Sequence, residues 1–445
     1  MTRTKIVGIL LLTALIAGSA FAGGSNQRSS EWDGTLRVLF YLEASAANAI
    51  EDADLWFNTF QRNNPGVRVE RENLFSESYH DKLRAYSAAG DLPDVMYVWP
   101  TTRSEYLWNS GYQLKDLMPF VTRDGLRNSY LPTIFDTANH ASGRFDIFPQ
   151  GVTQTHAFYV NLDVLNSVGL QPATTYAELV AQVPVLRAAG LQTVLIPAQD
   201  NWVMQSCFFS MILGRFAGAD WDRRVAAGTA RYTDPEFVAA FDFIRQIYAD
   251  GVIQRDNLGI GYGDGPGMFA GGRAAYYIDG DWRVGAFITD VATGQALITP
   301  ARQNNIRITV FPDIPGTRFN SSTSGILGTG YAMSAAIPAG SQREAAAWEL
   351  IKYFLGQEVS QLRTERGGTP TPSRSDLNFA AMRLEPMQIA MGSFGTQYTT
   401  STPVIDGVIS GEVNGAIERG LIELAMGTQT AQQVAAEVQR VQDRQ

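Results

Sequence analysis

An α/β fold with more than one core is what this 445-residue sequence predicts. Three observations lead there. Near the start, hydrophobic spacing switches between strand-like and helical periods in the order β-α-β-α-β. The alternation resumes near Pro149 and again near Ile306. The length also exceeds what one ordinary core encloses, since about 423 residues remain after an N-terminal leader.

The leader comes first in the chain. Arg3 and Lys5 give a positive start. Ile6 to Ala17 is apolar apart from Gly8 and Thr13, and Ala20-Phe21-Ala22 places small residues at −3 and −1 of a cleavage site. That layout is a secretory signal peptide, expected to be removed after about Ala22. The apolar stretch falls short of the roughly 20 residues of a membrane span. Its loss takes two basic side chains and leaves a formal charge of −11. Such a surface disfavours nucleic acid and anionic membrane. Cys207 is the single cysteine, so no internal disulfide forms and no cysteine at the cleavage site accepts a lipid. Its setting, Ser206-Cys207-Phe208-Phe209, suits burial. A freely diffusing periplasmic protein is the expectation.

The elements follow in order. Residues 23–35 read as a polar lead-in. Leu36 to Leu42 is a first strand, and Ala46 to Asn63 is a helix with Ile50, Leu55, Phe57 and Phe60 on its apolar face. Val67 to Glu72 alternates as a half-buried strand. Tyr79 to Ala89 is a helix closed by Gly90 as a left-handed cap. Pro93 to Trp99 is the third strand of a mainly parallel layer. His156 to Asn161 opens a second layer as a strand. Thr175 and Glu178 form a capping box for the next helix. Val194 to Pro197 is a short strand; Asp234-Pro235-Glu236 starts a helix that runs to Tyr248. Ala274 to Ile278 is a strand ending at Asp279-Gly280-Asp281-Trp282. Strands at Ile306 to Val310 and Gly328 to Ser334 come next, then a helix from Arg343 to Phe354 and helical chain over 411–440. The glycine-rich run Gly259 to Gly272 fits neither phosphate-loop pattern and reads as a mobile loop.

Five phrases, in order over roughly 300 residues, carry a family resemblance. They are Tyr79-His80-Asp81-Lys82-Leu83 leading to Ala88-Ala89-Gly90-Asp91-Leu92-Pro93-Asp94-Val95; Phe148-Pro149 followed by Tyr159-Val160-Asn161-Leu162-Asp163 and Thr174-Thr175-Tyr176-Ala177-Glu178-Leu179; Met268-Phe269-Ala270-Gly271-Gly272-Arg273-Ala274-Ala275 ending in Gly280-Asp281-Trp282; Gly330-Tyr331-Ala332-Met333-Ser334 with Glu344 to Phe354; and Gly367-Gly368-Thr369-Pro370. Together they resemble family 1 of the extracellular solute-binding proteins, the maltose-binding-protein-like sugar binders of ABC importers. Tyr176 stands where that family usually has tryptophan, and Tyr276-Tyr277 where it has a methionine-containing strand. The resemblance implies a type II-like periplasmic binding protein fold of two discontinuous lobes joined by hinge crossings. The lobes are expected at 36–148 with 325–366 and at 150–320 with 372–440. It further implies a monomer that captures a sugar or oligosaccharide, passes it to an inner-membrane ABC permease, and needs no cofactor or metal.

A sugar offers hydroxyls at its edge and weakly apolar faces, so aromatic walls with a few polar groups suit it. In α/β layers ligands sit beyond the carboxyl ends of strands. That rule selects Tyr41 and Glu43 after the first strand, Tyr97, Trp99 and Thr101 at the third, and Asp281 and Trp282 after Ile278. Gln150 and Thr153 border the first implied crossing, Gly330 and Tyr331 the second, and Trp202 lies in a loop after a strand. In the resembled family the tryptophan matching Trp282 commonly stacks on sugar. Trp348, on a helix face, is assigned to the core, and Trp56, Trp108 and Trp221 receive no role. Enzyme readings find little. His80, His140 and His156 lack metal spacing, with His80 assigned to a helix surface, and no Cys/His nucleophile pair stands out. Two rivals stay open: a binder of glycerol phosphate or another polyol, using Arg103 or Arg366, and a secreted polysaccharide hydrolase working through paired carboxylates.

Overall fold

The computed structural model describes residues 32–44, 46–318, 320–398 and 401–445. The signal peptide expected over 1–22 lies outside the described residues. Among the described residues, no helix is long and apolar enough to cross a membrane.

Three sheets organise the chain. Strands β1 (Thr35–Tyr41), β2 (Arg68–Leu74), β3 (Val95–Val98) and β4 (Ile147–Pro149) come from the first third. Strand β5 (Val152–Gln154) follows, then β6 (Ala157–Asn161), β7 (Gln192–Leu195), β8 (Ala274–Asp279) and β9 (Ile306–Thr309). Strands β10 (Thr323–Leu327), β11 (Gly330–Met333) and β12 (Ser401–Thr402) complete the set. The first sheet has the order β2-β1-β3-β11-β4, the second β7-β8-β6-β9, and a small third sheet joins β12, β10 and β5. Both large sheets are mixed. Strands β1, β2 and β3 run parallel, but β11 is antiparallel to β3 and β4, and β6 is antiparallel to β8 and β9. The first sheet is mainly parallel, as the β-α-β order predicts, since β2, β1, β3 and β4 share one direction and only β11 opposes them. Strand β11 arrives from the far end of the chain and enters the first sheet against the direction of its neighbours.

The chain passes from β4 through β5 to β6, and returns from β9 through β10 to β11. Strands β5 and β10 pair with each other in the small sheet between the two large ones. A discontinuous architecture follows: the first large sheet contains both early and late chain.

Local sequence explains many of the elements. In β1, Leu36, Val38, Leu39 and Phe40 are buried, as a strand covered on both faces requires. The Thr175 hydroxyl accepts the Glu178 N–H while the Glu178 carboxylate accepts the Thr175 N–H, closing the expected capping box. Gly90 caps the helix Ser76–Ala89 at φ 67°, a region that costs glycine little. The helix Pro235–Ala249 has proline in its first turn, but Asp234 does not cap it; its carboxylate accepts the Arg231 N–H instead. The stretch 411–440 is two helices, Gly411–Met426 and Ala431–Gln442.

Three expectations about single residues meet the structure here. Cys207 is buried, and burial pushes its thiol well up. Trp348 is fully buried with its indole N–H donating to Asp124 at 2.7 Å. His80 is not on a helix surface: it is 4% exposed, packs on Trp99 with ring centroids 4.6 Å apart, and burial pushes it down to about 2. His156 is buried too, with Nδ1 at 2.8 Å from the Cys207 carbonyl, while the Phe311 N–H donates to Nε2. That pairing fixes a neutral tautomer with the proton on Nδ1.

Candidate functional site

A cavity opens between the first and second sheets, floored by chain near the small one. One wall rises from the carboxyl ends of β1 and β3. Tyr41 stacks on Tyr97 at 5.6 Å and 12°, and Trp99 meets Tyr41 edge-on at 5.1 Å. These rings converge because neighbouring parallel strands end on the same side of the sheet. Burial raises the Tyr41 and Tyr97 phenols, so both stay protonated. Gln150 donates to the Tyr97 hydroxyl at 2.6 Å, and Thr329 also bonds that hydroxyl. Glu77 and Arg103, also in the lining, form an ion pair.

The opposite wall is built on the end of β8. Trp282 follows it, and the Trp282 indole N–H donates to the Tyr262 hydroxyl at 2.5 Å. Trp202 packs edge-on to Tyr262 at 4.8 Å and lies 6.3 Å from Trp282. Gly280 is required beneath this ring: a Cβ there would sit 2.2 Å from the Trp282 indole.

Behind that wall, Asp279 gathers donors. Its carboxylate accepts from Arg283 Nε at 2.8 Å, Tyr277 at 2.6 Å, Tyr262 at 3.3 Å and the Gly280 N–H at 2.8 Å. Asp279 and Arg283 are an ion pair out of solvent, and the guanidinium lies 4.0 Å from the Tyr262 ring centre. Arg283 also comes within 3.5 Å of Glu43, which reaches over from the end of β1. Elsewhere across the cleft, the Asn48 side chain accepts the Val291 N–H at 2.6 Å and its backbone N–H donates to Asp290 at 3.1 Å.

Asp281 lines the cavity at a cost to the fold. Burial pushes its carboxyl up to about 7, although it accepts the Gln154 N–H at 2.9 Å. A carboxyl whose folded pKa exceeds its unfolded one binds its proton more tightly in the fold. Its favourable contribution is therefore present at low pH and is lost as pH rises from about 4 to about 7. Asp281→Asn keeps an acceptor for Gln154 and removes the charge. The variant is expected to melt near the parent at pH 4 and to be more stable, by on the order of a few kcal/mol, at pH 8. The buried histidines titrate in the opposite sense but identically in both proteins. Calorimetric melts across this window check the prediction; parallel curves would refute it.

Of the twelve residues selected from sequence, the structure brings ten to the cavity: Tyr41, Glu43, Tyr97, Trp99, Thr101, Gln150, Thr153, Trp202, Asp281 and Trp282. Gly330 and Tyr331 lie outside its lining. Tyr331 is 2% exposed, stacks on Phe354 at 4.8 Å and takes a hydrogen bond from Arg363. Gly330 is pressed against β4, where a Cβ would meet the Phe148 carbonyl at 2.1 Å. Arg366 lies outside the lining as well and pairs with Asp52. Sequence reasoning missed Tyr262, His80 and Asp406, all lining residues. Tyr262 belongs to the run expected to be a mobile loop. That run is ordered into the turn Arg255–Gly259 and the helix Gly265–Ala270, with Tyr262 6% exposed between them. Among the described residues, no group of three or more His, Cys, Asp or Glu is placed to hold a metal ion.

Comparison with known proteins supplies further findings. The family model described as bacterial extracellular solute-binding protein matches residues 42–361. No curated protein matches the chain. Solved structures do. One comes from work on xylan utilization by the thermophilic bacterium Caldanaerobius polysaccharolyticus; it is 20% identical, covers 91% of this chain and 99% of its own, and has a TM-score of 0.79. A chitin oligosaccharide binding protein is 21% identical, covers 92% and 98%, and has a TM-score of 0.78. The maltose-bound MalE3 of T. maritima is 18% identical, covers 92% and 99%, and has a TM-score of 0.73. The likeness establishes a two-lobed α/β fold with discontinuous lobes.

Proposed function

This chain belongs to the bacterial extracellular solute-binding protein family, and from that premise we propose that it captures a sugar or oligosaccharide between its lobes and delivers it to an inner-membrane ABC permease. The observation that carries the reading is the pairing of two aromatic walls. Tyr41, Tyr97 and Trp99 face the cleft from one sheet, and Trp202 and Trp282 from the other. Rings on both sides suit the two weakly apolar faces of a pyranose, while Gln150, Thr329 and Asp281 supply bonding partners for hydroxyls. Structural relatives described as maltose-bound or named a chitin oligosaccharide binding protein agree with that chemistry. In this reading the lobes are 36–148 with 325–366 and 150–320 with 372–440, and strands β5 and β10 act as the hinge. Contacts to both lobes favour the closed state, which the permease reads. The protein works as a periplasmic monomer and returns its ligand chemically unchanged. A phosphorylated ligand is less well served, because Arg103 is already held by Glu77 and Arg366 lies outside the cavity.

A thermal-shift screen of the mature protein against mono-, di- and oligosaccharides and glycerol phosphates tests the reading. A ligand at a hundred times its dissociation constant adds about 2.7 kcal/mol. A sugar is expected to raise the melt. If no sugar or polyol does so, the substrate class is wrong.

A further inference from the structure

The aromatic cavity does not end at Trp202. A second chamber begins there and shares Glu77, Arg103, Trp202 and Asp406 with it. Asn109 and Ser110, both exposed, line that chamber but not the aromatic cavity. Size makes the connection matter. Ligand pockets usually run to about 300–1,000 Å³. The aromatic cavity offers about 230 Å³ and the second chamber about 790 Å³. The first alone is small for an oligosaccharide; the two in sequence are not.

The chemistry of the second chamber is one-sided. Glu77, Glu105, Asp200, Asp406 and Glu418 line it, against Arg84 and Arg103. The arginines are taken: Arg103 pairs with Glu77, and Arg84 with Asp81. Burial pushes the Asp406 and Glu418 carboxyls up against the pull of Arg103, and repulsion from Asp406 and Glu77 raises Glu418 further. A carboxylate arriving here would add to that repulsion. Hydroxyls and ammonium groups would find acceptors. Trp202, half-buried, lines both chambers.

We propose that the ligand is a linear oligosaccharide of at least three units that runs from the aromatic cavity past Trp202 into the second chamber, where the terminal unit is neutral or amine-bearing and not a uronate. The inference rests on the sugar-binding reading above and adds length and charge to it. Residues beyond Trp202 then set chain-length preference, and the chamber's carboxylates exclude acidic ends.

Calorimetric titration of the mature protein tests this with neutral di-, tri- and tetrasaccharides, their glucosamine-ended counterparts and uronate-ended counterparts. The expected result is at least a tenfold gain in affinity from di- to trisaccharide, with uronate-ended chains at least tenfold weaker than neutral ones. Asn109→Trp, which fills the chamber without touching the aromatic cavity, is expected to remove the gain from the third unit and leave disaccharide affinity unchanged. Glu418→Gln preserves shape and is expected to narrow the gap between neutral and uronate ends. Sugar binding with equal affinities across lengths, unaffected by Asn109→Trp, would overturn the second chamber while leaving the sugar-binding reading intact. Tighter binding of uronate ends would overturn the charge preference. Failure of the unaltered protein to bind any saccharide would overturn both readings together.

Discussion

Trp282→Ala is expected to weaken binding of the cognate sugar by about 30- to 100-fold while leaving the melt of the unliganded protein close to that of the parent. The argument starts from what the ring touches. Trp282 sits at the end of β8 over Gly280, half-buried, with one edge bonded to Tyr262 and a face toward the cavity. Buried aromatic anchors at the centre of a site commonly account for about 2 kcal/mol or more of binding, and 1.4 kcal/mol is tenfold. Removing the ring takes that contact from the ligand. It takes little from the fold, because Tyr262 keeps its bond to Asp279 at 3.3 Å and its contact with Arg283. Trp282→Phe separates the parts: it retains an aromatic face but loses the bond to Tyr262, so most of the affinity should survive. Titration calorimetry and melts of both variants check this. A drop of several kcal/mol in unliganded stability for Trp282→Ala would make the residue part of the core instead.

The distance between sequence and structure is visible in these same residues. Tyr41, Trp99 and Trp282 were legible because a strand's carboxyl end is readable from hydrophobic runs, and that end faces the cleft. Tyr331 was chosen for bordering an implied crossing, which does not say where its ring goes: it lies opposite Tyr97 in β11, stacks on Phe354 and bonds Arg363, outside the cavity lining. His80 was misplaced although its spacing to Leu83 and Ser87, three and seven residues on, puts all three on one helical face. Tyr262 was hidden by its glycines. An aromatic set among Gly259, Gly261, Gly263 and Gly265 reads as loop, whereas the fold holds it through Asp279, Trp282, Arg283 and Asp200. The second chamber was invisible because its walls come from residues 77–110, 199–202 and 406–418, which only the folded chain brings together.

Asp279→Ala is expected to cost about 3–5 kcal/mol of folding stability, the largest effect of any single substitution considered. The size follows from what remains behind. Arg283 is 2% exposed and stays charged, since arginine does not surrender its proton in proteins. Removing one partner of a buried ion pair leaves the other charge without compensation, which carries a penalty of about this magnitude. Glu43, 3.5 Å away and on the other side of the cleft, replaces only part of the lost attraction. Tyr277, Tyr262 and the Gly280 N–H lose their acceptor at the same time. With unfolding entropy near 2.1 cal/mol/K per residue, a chain of this size should melt on the order of 5 °C lower. Replacing both partners, Asp279→Leu with Arg283→Met, should recover much of the loss, because well-packed apolar groups often match a buried pair in stability. The double variant should nevertheless bind its sugar poorly. Tyr262 would lose both the acceptor and the cation that orient it, and Trp282 would lose its fixed partner. Recovery of stability without recovery of affinity would identify the buried pair as a positioning device for the aromatic wall; recovery of both would reduce it to a structural role.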